Sequence, residues 1–100
     1  MNAVELIITE DNVVQIQGEL NFYSVRNLWE RSRLALIKIT PKIRIDLSNV
    51  THCDSAGLAL LTEWQRLANK MNRKIVFENL PQQLLNIANV SRLNTILNIQ

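Results

Sequence analysis

Apolar and polar positions change period along this chain in an orderly way. Val4 to Thr9 reads as a strand, and Glu10-Asp11-Asn12 is a polar break. From Val13 to Gly18 the residues alternate, with Val14 and Ile16 on one face and Gln15 and Gln17 on the other. Two such runs joined by a short polar turn predict a β-hairpin. The period then lengthens. Val25, Leu28, Trp29, Ser32 and Leu36 fall on one helical stripe, while Arg26, Glu30 and Arg33 point away. Ser24 is a candidate N-cap. Pro41 is expected to end this helix, because the residue before a proline is pushed out of helical geometry.

Alternation returns at Lys42 to Leu47, where Ile43, Ile45 and Leu47 share one face and Lys42, Arg44 and Asp46 the other. Ser48 to Asp54 reads as a loop. Ser55 to Met71 carries the strongest helical pattern: Leu61, Trp64, Ala68 and Met71 form a stripe that Leu60 and Leu67 widen, and Glu63, Arg66 and Lys70 face outward. Lys74 to Phe77 predicts a strand. Pro81 suits the first turn of a third helix running to about Asn89, with Leu84, Leu85 and Ala88 on its apolar side. Thr95 to Ile99 is a candidate short last strand. The order β-β-α-β-α-β-α, with a candidate final β, predicts an α/β fold. Its strand-helix-strand units favour parallel neighbours with right-handed crossovers. The alternation within strands predicts a mixed four- to five-stranded sheet with helices mainly on one face.

Composition narrows the class. One hundred residues make one domain, 1–100, able to bury roughly 65% of its unfolded surface around a modest core. Apolar residues are 47% and charged residues 20%, which are globular values. A net charge of +2 comes from basic residues spread along the chain. Nucleic acid usually asks for a clustered basic patch, so none is expected as a partner. Met1-Asn2-Ala3-Val4-Glu5 lacks the basic start and apolar core of a leader. The apolar runs are too short to span a bilayer, so no direct membrane insertion is expected and any membrane work would go through a partner. Cys53 is the only cysteine, which rules out an intrachain disulfide and fits a reducing compartment.

Candidate chemistry concentrates where the second long helix begins. The first backbone N–H groups of a helix have no partner within it, and the helix dipole adds partial positive charge. Asp54 or Ser55 could cap them. Ala56 and Gly57 are small enough to let another surface approach the backbone. Gly57 costs about 1 kcal/mol against alanine inside a helix, so a steric reason is expected. His52-Cys53-Asp54-Ser55 invites a catalytic reading, but neighbours in an extended segment point to opposite sides. One histidine and one cysteine do not make a zinc site, and four consecutive residues cannot provide triad geometry. No enzyme, metal or cofactor is expected. No glycine-rich phosphate loop is present, so ATP binding by this chain is not expected either. Trp29 and Trp64 sit at core positions, Ser32 reads as a small core residue beside Trp29, and Arg31, Arg33 and Lys38 as a solvated face. On local sequence alone, Ser55 reads first as an ordinary cap.

The run Ile45-Asp46-Leu47-Ser48-x-Val50-x-x-x-Asp54-Ser55-Ala56-Gly57-Leu58-Ala59-Leu60-Leu61 resembles the signature of STAS domains, the SpoIIAA-like fold of bacterial anti-sigma-factor antagonists. Gly18-Glu19-Leu20, Leu28-Trp29-Glu30 and Gly57 to Leu61 are most similar to the MlaB-like subgroup, the STAS subunits of Mla phospholipid-transport ABC systems. That resemblance implies a non-catalytic cytoplasmic accessory subunit, peripheral to the inner membrane. Its partner would be an MlaF-like ABC-transporter ATPase subunit and, through it, a membrane permease. It implies a docking surface of Asp54, Ser55, Ala56 and Gly57, ringed by Thr51, His52 and an exposed Glu63. Ser55 falls where the antagonists carry a phosphorylated serine, so the alternative is an antagonist regulated at Ser55. Antagonists commonly have an aspartate just after the second strand, and here that place holds Asn21.

Overall fold

The alternating segments form one four-stranded sheet in the order β1-β2-β3-β4. The computed structural model describes residues 4–39 and 41–100; Met1 to Ala3, read above for a leader, lie outside them. β1 (Glu5–Ile8) and β2 (Val13–Leu20) make the antiparallel hairpin. β3 (Lys42–Cys53) pairs parallel to β2, and β4 (Lys74–Glu78) pairs parallel to β3. α1 (Val25–Leu36) and α2 (Ser55–Lys70) are the crossovers, and α3 (Gln82–Val90) follows β4. Val14, Ile16, Ile43, Ile45, Leu47, Ile75 and Phe77 line the covered face. Leu28 and Leu36 of α1, Leu58, Leu60, Leu61, Trp64 and Ala68 of α2, and Leu84 and Ala88 of α3 pack onto it. Lys42 and Arg44 are exposed on the other face, Arg44 pairing with Glu78 at 3.0 Å.

Four expectations need correction. The stretch Ser48 to Cys53 is strand, not loop. β3 inserts extra residues against β2, where Asp46 to Asn49 spans Gln15 to Gln17 and Val50 to His52 spans Gly18 to Glu19. These are β-bulges, and Thr51 is the unpaired extra residue at the second. Gly18, at φ 108°, supplies the backbone that β2 needs there. Asp46 stabilises the first bulge by accepting the Ser48 N–H at 3.0 Å.

The other three concern chain ends. Ser24 precedes α1 but makes no side-chain cap bond. Asn21 Oδ1 instead accepts from the N–H groups of Tyr23 and Ser24, at 2.8 and 3.0 Å. The Ser24 hydroxyl donates back to the Glu19 carbonyl at 2.7 Å, pinning the turn to β2. α1 stops at Leu36, well before Pro41. Arg73 reaches over and donates to the carbonyls of Leu36, Ile37 and Ile39, so a distant cation closes the helix. At the C-terminus, Leu93–Thr95 is a 3-10 turn, and only Ile99 makes a parallel bridge to Phe77.

Two tryptophans expected in the core part company. Trp64 is fully buried, and its indole Nε1 donates to Ser32 Oγ at 2.7 Å. Ser32 in turn donates to the Trp29 carbonyl at 3.0 Å. Trp29 itself is only half-buried.

Candidate functional site

β3 delivers the chain to the start of α2 with Cys53 pointing inward. Asp54 then takes an extended conformation, and its Oδ1 accepts the Ala56 N–H at 2.8 Å. This is the cap, so the hydroxyl of Ser55 is not consumed in one. The Asp54 N–H donates to the Leu20 carbonyl at 3.1 Å, which locks the turn to the end of β2. Ser55 is exposed, and its hydroxyl makes no hydrogen bond among the described residues. A rigid turn therefore presents a free hydroxyl at a helix N-terminus, where anions are tolerated.

The expected surface residues separate into three sets. Asp54, Thr51 and His52 are exposed. His52 Nδ1 lies 3.6 Å from Glu19 Oε1, and Asn21 Nδ2 donates to Glu19 Oε2 at 3.2 Å. With Leu20, Cys53 and Asp54 these residues line a small hollow of about 180 Å³. Ser55, Ala56 and Glu63 border a different, apolar cleft. Glu63, expected to be exposed, is half-buried and pairs with Arg66 at 3.1 Å. Gly57 belongs to neither cleft and is corrected from the docking surface. It is buried, and a β-carbon there would stand 3.2 Å from Leu20 Cβ and 3.5 Å from Cys53 Cβ. Its missing side chain lets α2 lie against β2 and β3 rather than letting a partner in.

The four-residue run His52 to Ser55 does not converge. His52 is exposed and Cys53 buried. Burial, and then the neighbouring Asp54 charge, push the Cys53 thiol above its ordinary range, so it is a poor nucleophile. Among the described residues, no three His, Cys, Asp or Glu side chains gather as a metal site.

Sequence reasoning missed the other wall of the apolar cleft. Phe22, Val25, Arg26 and Trp29 of the α1 start face Ser55, Ala56, Ala59, Leu60 and Glu63 across it. The signal was the doublet Phe22-Tyr23, two large aromatics in a turn where a polar residue would be ordinary. Phe22 is 77% and Tyr23 88% exposed.

A mixed sheet covered on one face, with a capped turn offering a free serine at the start of its second helix, defines a SpoIIAA-like domain. Solved structures share that fold. The unphosphorylated anti-sigma factor antagonist SpoIIAA superposes with a TM-score of 0.73 at 18% identity, covering 98% of this chain and 88% of that one. A candidate anti-sigma factor antagonist of Thermotoga maritima gives 0.76 at 20% identity, covering 96% and 84%. In sequence, the chain is 29% identical over 89 residues to the anti-sigma-B factor antagonist of Bacillus subtilis (strain 168), covering 89% of this chain and 81% of that protein. The chain belongs to the family described as Mlab, STAS domain, which it matches over residues 8–98.

Proposed function

We propose that this chain is a non-catalytic cytoplasmic accessory subunit that binds and supports the ATPase subunit of an Mla-type ABC phospholipid transporter, the machinery that maintains outer-membrane lipid asymmetry. The observation that carries the reading is the exposed, unbonded Ser55 on a rigidly capped turn, in a chain of the MlaB type. Fold and docking are separable there, because Asp54 supplies the cap and Gly57 the packing. Docking acts by stabilising the ATPase conformation that it contacts best, since a binder shifts an equilibrium only through differential affinity. No helix among the described residues is long and apolar enough to cross a membrane, so placement at the inner membrane would come through the ATPase and its permease. Affinity purification from the native host tests this. Co-purifying ATPase and permease subunits are expected; their absence, with the chain folded and soluble, would sink the reading.

The Bacillus subtilis relative favours a second reading, an antagonist switched by phosphorylation of Ser55. A phosphate would add about −1.5 to −2 charges at a helix start that accepts anions. Asn21 weighs against it. Its amide donates to Glu19, whereas an aspartate there would set two carboxylates together. Incubation with a candidate anti-sigma kinase and ATP, read by intact mass, discriminates: stoichiometric phosphate on Ser55 favours the antagonist.

A further inference from the structure

The two edges of the sheet are finished differently. Beyond β4 the C-terminal segment closes the ladder: the Phe77 N–H donates to the Asn98 carbonyl at 2.9 Å, and the Gln100 N–H to the Phe77 carbonyl at 2.8 Å. Beyond β1 no strand pairs among the described residues. Native sheets commonly blunt such an edge with a lysine, a proline or a bulge. β1 is Glu5-Leu6-Ile7-Ile8, in unbroken register with β2, and has none of these. Ile7 is 41% and Ile8 42% exposed.

The hairpin decides which backbone groups that edge offers. The Thr9 N–H donates to the Val13 carbonyl at 2.9 Å, so these two are a hydrogen-bonded pair. Such pairs alternate along an antiparallel ladder. Ile7 with Gln15 and Glu5 with Gln17 are the next ones, and the N–H and carbonyl groups of Leu6 and Ile8 point away from β2. The Val4 carbonyl, next in that outward series, is already taken by Arg31 Nη2 at 2.9 Å. Two donors and two acceptors remain, on Leu6 and Ile8, disposed evenly about Ile7.

We propose that β1 pairs antiparallel with β1 of a second copy of this chain, about a two-fold axis through Ile7. This register uses all four outward groups. Leu6 and the partner's Ile8 exchange two hydrogen bonds, and Ile8 and the partner's Leu6 two more. On the open face of the sheet, Ile7 meets the partner's Ile7 as a close, non-hydrogen-bonded pair. Glu5 falls opposite the partner's Thr9, so the two Glu5 carboxylates stay apart. Val4 falls opposite the partner's Glu10, which brings that carboxylate toward Arg31. Arg31 pairs with no carboxylate among the described residues of its own chain. Leu34, 62% exposed and on the Arg31 side of α1, flanks the joint on the covered face. The four strands of each copy then form one continuous sheet. A joint of four-residue strands is small, so the dimer is weak and reversible. The serine turn is tied to Leu20, at the other end of β2 from Val14 and Ile8, and both copies keep it available.

Analytical ultracentrifugation of the purified chain over a concentration series tests this, and a reversible monomer–dimer equilibrium is expected. Ile7→Lys sets two cations face to face at the two-fold axis and should raise the dissociation constant at least about tenfold. Ile8→Pro removes an N–H that β2 does not use and should do the same. Val90→Lys, a matching change at an exposed apolar residue of α3, leaves the constant unchanged. Cysteine variants under mild oxidation read the register. Ile7→Cys links two copies by a disulfide, because α-carbons of such a pair stand about 4.5 Å apart, while Glu5→Cys does not link to itself. A chain that stays monomeric up to roughly 1 mM overturns the proposal and leaves the edge to another protein's strand or to none. So does a dimer that Ile7→Lys or a folded Ile8→Pro does not weaken, or one that Glu5→Cys locks and Ile7→Cys does not. Where circular dichroism shows Ile8→Pro unfolded, Ile7→Lys and the cysteine variants decide.

Discussion

Trp64 carries an indole N–H into a dry core, and Ser32 is the acceptor that makes its burial affordable. Ser32→Ala strands that donor, and a buried unsatisfied group costs about 1–3 kcal/mol. Urea unfolding should show a loss of that size with an unchanged m-value; a loss below about 0.5 kcal/mol would mean that the bond contributes little. Both residues were legible as stripe positions on their own helices. Their pairing was not, since periodicity places a residue on a face without naming what faces it. Asp46 offers a second residue-scale test. Partial burial pushes its carboxyl upward, but hydrogen bonds from Asn79 Nδ2 and the Ser48 N–H, with Arg44 nearby, hold it below its usual range. A lowered folded value means stability that is complete above the unfolded value near ~3.9 and lost as pH falls through the folded one. Asp46→Asn should therefore flatten the acid limb of a stability–pH curve below about pH 4. An acid limb equally steep in both proteins would remove Asp46 from the account.

Among elements, the instructive case is β3. Its first half alternates cleanly and was readable. From Ser48 onward, exposure follows a period of three, with Val50 and Cys53 buried and the residues between them exposed. Two bulges cause this, and each breaks the period of two by which a strand is recognised. Polar Ser48, Asn49, Thr51 and His52 in that stretch look like loop for the same reason. α1 shows the complementary difficulty, because both of its ends are set by residues outside it. Asn21 closes the amino end from the strand side, and Arg73 closes the carboxyl end from beyond α2. Arg73→Ala leaves the Ile37 and Ile39 carbonyls to water, while the Leu36 carbonyl keeps the Ile39 N–H, and should cost about 1–2 kcal/mol. Faster amide exchange confined to the last turn of α1 is the expected signature. Unchanged protection at Leu36 to Ile39 would show that the cap is dispensable.

For the molecule as a whole, the strand and helix order was enough to predict a mixed sheet with helices over one face, and that is the fold. The serine turn was legible too, because a strand end, two small residues and a helix start occupy one short run. The cleft beside it was not. It exists only because α1 and α2 begin at the same end of the sheet, which sets Phe22 and Trp29 across from Ser55 and Ala59. Gly57 marks the division between scaffold and surface, since it faces the sheet while its neighbour Ser55 faces water.

That division can be measured by giving Ser55 a charge and following folding and partner capture in the same protein. Ser55→Glu adds an anion at an exposed helix start, so unfolding free energy should stay within about 0.5 kcal/mol of the unmodified chain. On the proposed ATPase reading, binding to that subunit should weaken at least about tenfold. Capture at full strength by Ser55→Glu, or a chain that no longer folds, would contradict a docking turn that is independent of the scaffold.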